Sequence, residues 1–167
     1  MRDDTEGMKA IGITYRVAES AAGFSAGEQL FREYAGLLPI DLGFQDFEHE
    51  LKTIQVQYNK PTGALLLACD GAEAIGCVAV RRSEPGVAEL KRMYLRNNYR
   101  RLGIGRALLE RSINIARDLG YVRIRLDTLP DMAEALALYG KLGFRIIPAY
   151  RYNPVEDAVF LERRLDQ

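Results

Sequence analysis

The run Arg100-Arg101-Leu102-Gly103-Ile104-Gly105-Arg106 carries the clearest chemistry in this sequence. It follows a strand-like stretch ending in Met93-Tyr94-Leu95 and opens a helical pattern. A helix start leaves backbone N–H groups without partners and carries the positive end of the helix dipole. Glycine at 103 and 105 lets that backbone approach a ligand with no side chain between them. Arg100, Arg101 and Arg106 add positive charge. Such an arrangement holds an anion, and a pyrophosphate is the expected group. The alternative is a tight turn into a helix, with the arginines simply solvated. The Arg-x-x-Gly-x-Gly spacing after a strand favours the anion site. A dinucleotide-binding oxidoreductase is disfavoured, because Leu108 stands where the third glycine of Gly-x-Gly-x-x-Gly would fall.

Glu89 is a second candidate. Strand alternation places Glu89, Lys91, Met93 and Leu95 on one face. A carboxylate in the middle of a buried strand is costly unless it is solvated, paired or used. Lys91, Arg92 or another nearby cation could pair with it. His49 is the only histidine, and Cys69 and Cys77 lack Cys-x-x-Cys spacing. Neither a metal site nor a Cys–His pair is expected. His49 reads as an exposed helix residue. The two cysteines read as reduced, strand-borne core residues.

The elements that must hold these residues follow from periodicity and punctuation. Residues 1–12 read as a flexible polar segment, with Met8 offering a second start. One domain is expected over 13–167. Ile13–Val17 alternates like a strand. Ser25 with Glu28 forms a capping box for a helix that Pro39 ends. A second amphipathic piece spans Phe44, Phe47, Glu48 and Leu51. Ala64–Cys69 and Ala74–Arg81 flank the Asp70-Gly71 hairpin signal. The Ser83–Gly86 turn feeds a strand over Val87–Leu95. A helix from about Leu102 to Leu119, a strand over Val122–Asp127, and the strand before them predict a parallel crossover. Pro130 precedes a helix from about Asp131 to Leu142, with Gly143 as its C′ residue. Phe144–Ile147 and Ala158–Arg163 complete a mixed α/β fold. About six to seven strands and about four helices are expected, mostly antiparallel in the N-terminal half.

The 167 residues suit one domain with a proper core. Lys plus Arg and Asp plus Glu both number 23, so the formal net charge is zero. That offers no global case for nucleic acid or an anionic membrane. No apolar run approaches the ~20 residues that cross a bilayer. Asp3, Asp4 and Glu6 take the place of an apolar signal core, so a cytoplasmic location is expected.

Arg100–Gly105 resembles the Arg/Gln-x-x-Gly-x-Gly/Ala signature of the GNAT superfamily of N-acetyltransferases. Ala88–Leu95 resembles that family's fourth strand. Ala135-Leu136-Ala137-Leu138-Tyr139-Gly140-Lys141-Leu142-Gly143-Phe144 resembles its Ala-x-x-Leu-Tyr-x-x-x-Gly-Phe segment. The likeness runs from Tyr15 to Leu165. It implies that the loop and helix start, Arg100–Arg106, bind the pyrophosphate of acetyl-coenzyme A. It also implies that Met93, Tyr94 and Leu95 pair through their backbone with the pantetheine arm. The acceptor would be a primary amine of a small molecule or a protein, acetylated directly in a ternary complex by a monomer or homodimer. Tyr139 would be the general acid for the departing thiolate and would touch the cofactor. Glu89 would be the general base, directly or through water. Phe47, Tyr150, Tyr152 and Asn153 would lie on the acceptor side; the last three could equally be turn chemistry. Many family members carry Asn seven residues before the tyrosine. Met132 stands there, and Thr128 or Asp131 would replace that contact. The rival from another class is a catalytically silent acyl-coenzyme A sensor, which would need the loop but neither Tyr139 nor Glu89.

Overall fold

The computed structural model describes residues 12–166. The segment 1–12, expected to be flexible, lies outside the described residues except for its last residue. β1 (Ile13–Val17) leads to α1 (Ala21–Leu37). Ser20 caps this helix, its Oγ accepting from the Gly23 amide at 3.2 Å. The capping box expected at Ser25 is corrected: the helix starts earlier, because Phe24 buries against the sheet as part of its first turns. α1 ends as expected before Pro39. The Leu38 backbone is extended (ψ 145°), the conformation that proline imposes on the residue before it.

The amphipathic piece after it is not one helix. A 3-10 turn (Leu42–Gln45) meets α2 (Phe47–Lys52) at Asp46, whose φ is 55°, and α3 (Ile54–Gln57) follows. β2 (Ala64–Asp70) and β3 (Glu73–Glu84) form the predicted hairpin. Then come β4 (Val87–Leu95), a 3-10 turn (Asn97–Tyr99), α4 (Ile104–Asp118), β5 (Arg123–Thr128), α5 (Ala133–Lys141), β6 (Arg145–Ile147) and β7 (Val159–Arg164). Gly143 follows α5 with φ 89°, as its C′ assignment requires.

The strands form one sheet in the order β1-β2-β3-β4-β5-β7-β6. β4 and β5 run parallel; the other neighbours are antiparallel. α4 and α5 cover one face. α1 to α3 cover the other, with Phe24, Phe31 and Tyr58 fully buried there. Gly27 brings α1 onto the sheet: a Cβ at this position would fall 2.2 Å from Leu65 Cδ2. Cys69 on β2 and Cys77 on β3 are free thiols buried under these helices.

The sequence alternation fails at one point in β4. Ala79 pairs with Lys91 and Cys77 with Tyr94, so three steps on β4 face two on β3. The extra residue makes a bulge, and Arg92 at this point has φ 54°. Side-chain parity flips across it. Ala88 and Leu90 before the bulge, and Met93 and Leu95 after it, all pack toward α4 and α5. Tyr94 packs toward α1. Glu89 and Lys91 therefore point to the opposite face from Met93 and Leu95. The single face expected for all four is corrected by the one-residue shift.

A buried ion pair pins the bulge. Arg92 Nη2 donates to Glu50 Oε1 at 2.6 Å and Nε to Oε2 at 3.0 Å. The Tyr58 hydroxyl also donates to Oε2, at 3.0 Å. Burial alone would raise the Glu50 carboxyl, but the bonds and charge of Arg92 outweigh it and hold it below the ordinary carboxylate range. Glu50→Leu would leave the buried Arg92 guanidinium without its carboxylate. It should cost about 3 kcal/mol, because one buried partner is left uncompensated. Urea denaturation measures this; a loss under ~1 kcal/mol would mean that solvent reaches Arg92.

Candidate functional site

β4 and β5 pair only at Val87–Glu89 with Arg123–Arg125. β5 then stays with β7 along its whole length, while β4 continues beside β3. The two strands splay, and a cleft of about 620 Å³ opens between them. β4 lines it with Leu90 and Arg92–Leu95, and β5 with Leu126–Thr128. The β4 edge facing the gap is not paired to β5 beyond Glu89. An extended amide-bearing chain could lie along it as a substitute strand.

The start of α4 forms one end of the cleft. Gly103 is its N-cap residue with φ 81°, and no side chain caps the helix. Its first turn closes with the Ala107 amide donating to the Gly103 carbonyl. The amides before Ala107 thus point into the mouth that Gly103 and Gly105 line. A Cβ at Gly105 would meet Met93 Cε at 3.8 Å, so the cleft wall here is bare backbone beside Met93. Arg100, Arg101 and Arg106 line the same mouth. Arg106 pairs along its helix with Glu110 at 2.8 Å. Arg101 spans the opening to Glu134 at the start of α5, at 3.5 Å with both side chains exposed. Leu102 and Ile104, also expected to touch the cofactor, are not among the residues that line the cleft. Ile104 is buried in the core.

Tyr139 lines the cleft from α5. Its ring packs edge-on against Phe144 at 5.6 Å, and its hydroxyl lies 3.8 Å from Met93 Sδ. Burial pushes this phenol well above its ordinary value, so it stays protonated at neutral pH. Thr128 and Asp131 line the wall near Met132, and Thr128 Oγ1 donates to Met132 Sδ at 3.4 Å. The structure therefore brings the loop, the β4 edge, Thr128 and Tyr139 into one space.

Glu89 stands elsewhere. It is 3% exposed and is not a wall of the cleft. Arg81 donates to its Oε1 through Nε at 3.2 Å and Nη2 at 3.0 Å. Lys91 Nζ lies 3.6 Å from the same oxygen and Arg151 Nη1 3.3 Å from it. The pairing alternative is the geometry displayed. Arg151 Nη2 also donates to Asp127 Oδ1, and Asn153 Nδ2 donates to Oδ2 at 3.0 Å. Burial acts to raise the Asp127 carboxyl, but these bonds and charges hold it below its ordinary value.

Of the residues expected on the acceptor side, Asn153 reaches a small cavity of about 50 Å³ at the end of the cleft. Phe47 and Tyr150 do not line either space. Phe47 packs under the Arg92 guanidinium at 5.4 Å. Tyr150 is sandwiched by Arg125 at 4.0 Å and Phe160 at 5.2 Å. Tyr152 is 74% exposed. Tyr34, at the far end of α1, lines both spaces, as do Arg92 and Asp127. Sequence reasoning named neither Tyr34 nor Asp127 as a site residue. Among the described residues no cluster of His, Cys, Asp and Glu could hold a metal ion. Among the same residues no helix is long and apolar enough to cross a membrane.

This arrangement is that of an acetyltransferase fold, and the comparisons agree. The acetyltransferase (GNAT) family model matches residues 14–144, and the chain belongs to that family. An uncharacterized N-acetyltransferase of Schizosaccharomyces pombe is 32% identical over 162 residues, covering 96% of this chain and 99% of that protein. A GNAT-family acetyltransferase of Staphylococcus aureus superposes with TM-score 0.74 at 23% identity, covering 92% of this chain and 99% of the other. A Salmonella typhimurium structure with its cofactor acetyl-CoA superposes with TM-score 0.69 at 19% identity, covering 93% and 95%.

Lys91 is the most perturbed cation near the site. Burial first, then the charges of Arg92, Arg151 and Arg81, outweigh Glu89 and push its ammonium down to about 7. Glu50 and Asp127 are the other carboxylates close enough to feel its charge. Between about 7 and 10.5 the unfolded lysine holds a proton that the folded one has released. Stability from this group is therefore full above the unfolded value and is lost as pH falls through the folded one. Relative to wild type, Lys91→Met should gain stability as pH is lowered from about 10 to about 7. Denaturant titrations at the two pH values check this. A difference that stays constant with pH would mean that Lys91 titrates like an exposed lysine.

Proposed function

We propose that this protein transfers an acetyl group from acetyl-coenzyme A to a primary amine, directly and within a ternary complex. One observation carries the reading: the bare amides at the start of α4, the free edge of β4 and the Tyr139 hydroxyl all open onto one cleft. They match, in order, a pyrophosphate, an extended pantetheine arm and a thioester sulfur. The Salmonella relative, solved with acetyl-CoA, supports the choice of donor.

In this reading the amine nitrogen attacks the thioester carbonyl carbon, the C–S bond breaks, and the Tyr139 O–H proton goes to the departing sulfur. Burial keeps the phenol protonated at neutral pH, so a proton is in place where negative charge develops on the sulfur. Glu89 enters as the anion that gathers Arg81, Lys91 and Arg151 behind the bulge. The amine proton leaves through water in the open cleft.

Three measurements test this. Gly105→Asp puts a carboxylate at the pyrophosphate end and should weaken coenzyme A binding at least about tenfold by calorimetry. Unchanged affinity in the folded variant would remove the loop from the site. Tyr139→Phe keeps the ring packing and removes the proton. It should lower kcat by ~10²-fold with cofactor affinity nearly intact. Normal turnover would strip Tyr139 of its role. Glu89→Gln should leave the acidic limb of the pH–rate profile in place; its disappearance would restore Glu89 as the base.

A further inference from the structure

We propose that Met93 is a positioning residue for the transfer step: its thioether parks the Tyr139 hydroxyl, and the sulfur of the incoming thioester takes its place. The inference rests on the acetyl-transfer reading and adds to it the group that aims the proton.

Tyr139 is buried, so its hydroxyl depends on a partner within the protein or on a ligand. Among the described residues that partner is Met93 Sδ, at 3.8 Å, and no oxygen or nitrogen accepts from it. A thioether sulfur is a weak acceptor, and this contact is long. The hydroxyl is thus given a direction at little gain, and a buried donor so poorly matched costs stability until a better acceptor arrives. Both side chains line the large cleft, where Met93 is half-buried with its Cε beside Gly105. A thioester sulfur that reaches Tyr139 along the β4 edge meets a hydroxyl already turned toward a sulfur. As the C–S bond breaks, that sulfur gains negative charge and becomes much the stronger acceptor. The bond therefore strengthens in the transition state rather than before it. Met93 gives up little in the exchange. The bulge is what brings it there. By plain alternation from Ala88 and Leu90, Met93 would face α1; the extra residue at Arg92 turns it to the Tyr139 side. The same pairing recurs elsewhere on the cleft wall, where Thr128 Oγ1 donates to Met132 Sδ at 3.4 Å.

Leucine at 93 keeps the volume and removes the acceptor. Thiol release from acetyl-coenzyme A, with a panel of amino acids and primary alkylamines, is measured for wild type, Met93→Leu, Tyr139→Phe and the double variant. Met93→Leu should lower kcat about fivefold, with coenzyme A affinity kept by calorimetry. In the Tyr139→Phe background the same change should cost nothing further, because a positioning residue acts only through the group it positions. Unchanged kcat in Met93→Leu, or an equal loss in both backgrounds, overturns the inference and leaves the acetyltransferase intact. Full turnover in Tyr139→Phe overturns the proton-transfer reading, and the inference with it. If no amine in the panel is acetylated, oxidation of the wild-type protein still decides. Hydrogen peroxide gives one oxygen to the thioether and leaves as water. Mass spectrometry should find the Met93 sulfoxide formed at least about fivefold more slowly with coenzyme A bound, since its sulfur would stand against Met93 Sδ. Such protection supports the sulfur seat while the transfer reading fails. An equal rate with and without coenzyme A overturns the seat.

Discussion

The Glu50–Arg92 pair is the constraint on which the cleft depends. It links α2 to β4 across 42 residues and fixes a non-glycine residue in the left-handed region. Without a partner, a buried guanidinium in that conformation would be expensive twice over, in desolvation and in backbone strain. With the fork closed, the extra residue in β4 becomes a stable feature. Its consequences are local and geometric. Met93 swings under Tyr139, and Glu89 and Lys91 turn toward the arginines on the other face.

The resulting site is divided by sheet face. On the α4–α5 side the cleft presents bare backbone and a protonated phenol. At the end of the cleft, near α1 and α2, a dense network of arginines and carboxylates shapes what else can enter. The bulge residue Arg92 belongs to both, since its side chain lines the cleft and the cavity alike. A substitution there would disturb packing, strand register and the walls of both spaces together.

Much of this was legible in residue types alone. Gly103 and Gly105 between arginines, after an apolar strand, mark a helix start, and the structure puts that start at the mouth of the cleft. Pro39, Gly71 and Gly143 punctuate elements that fall where expected, and the order of strands and helices gives the mixed sheet. The bulge was not legible. Lys91-Arg92-Met93 reads as ordinary alternation, and only a carboxylate far away in sequence reveals the extra residue. The roles of Phe47 and Tyr150 were equally hidden. Both are aromatic and lie in the right segments, yet each spends its ring on an arginine. Asp127 ends a strand in sequence, but only the fold shows that Arg151 and Asn153 return to it from a loop. Pairings of this kind depend on long-range closure, which periodicity does not encode.

The two cysteines carry a practical consequence. Cys69 and Cys77 are the only cysteines in the chain, and both are at most 1% exposed, one on each of two adjacent strands. Burial pushes the Cys77 thiol far above its ordinary value. Only the thiolate reacts with disulfide chromophores, and only when reagent can reach it. The native protein is thus silent toward such reagents. In any assay read with such a reagent the folded protein adds no colour of its own, and a slow rise from protein alone would report opening of the α1–sheet interface.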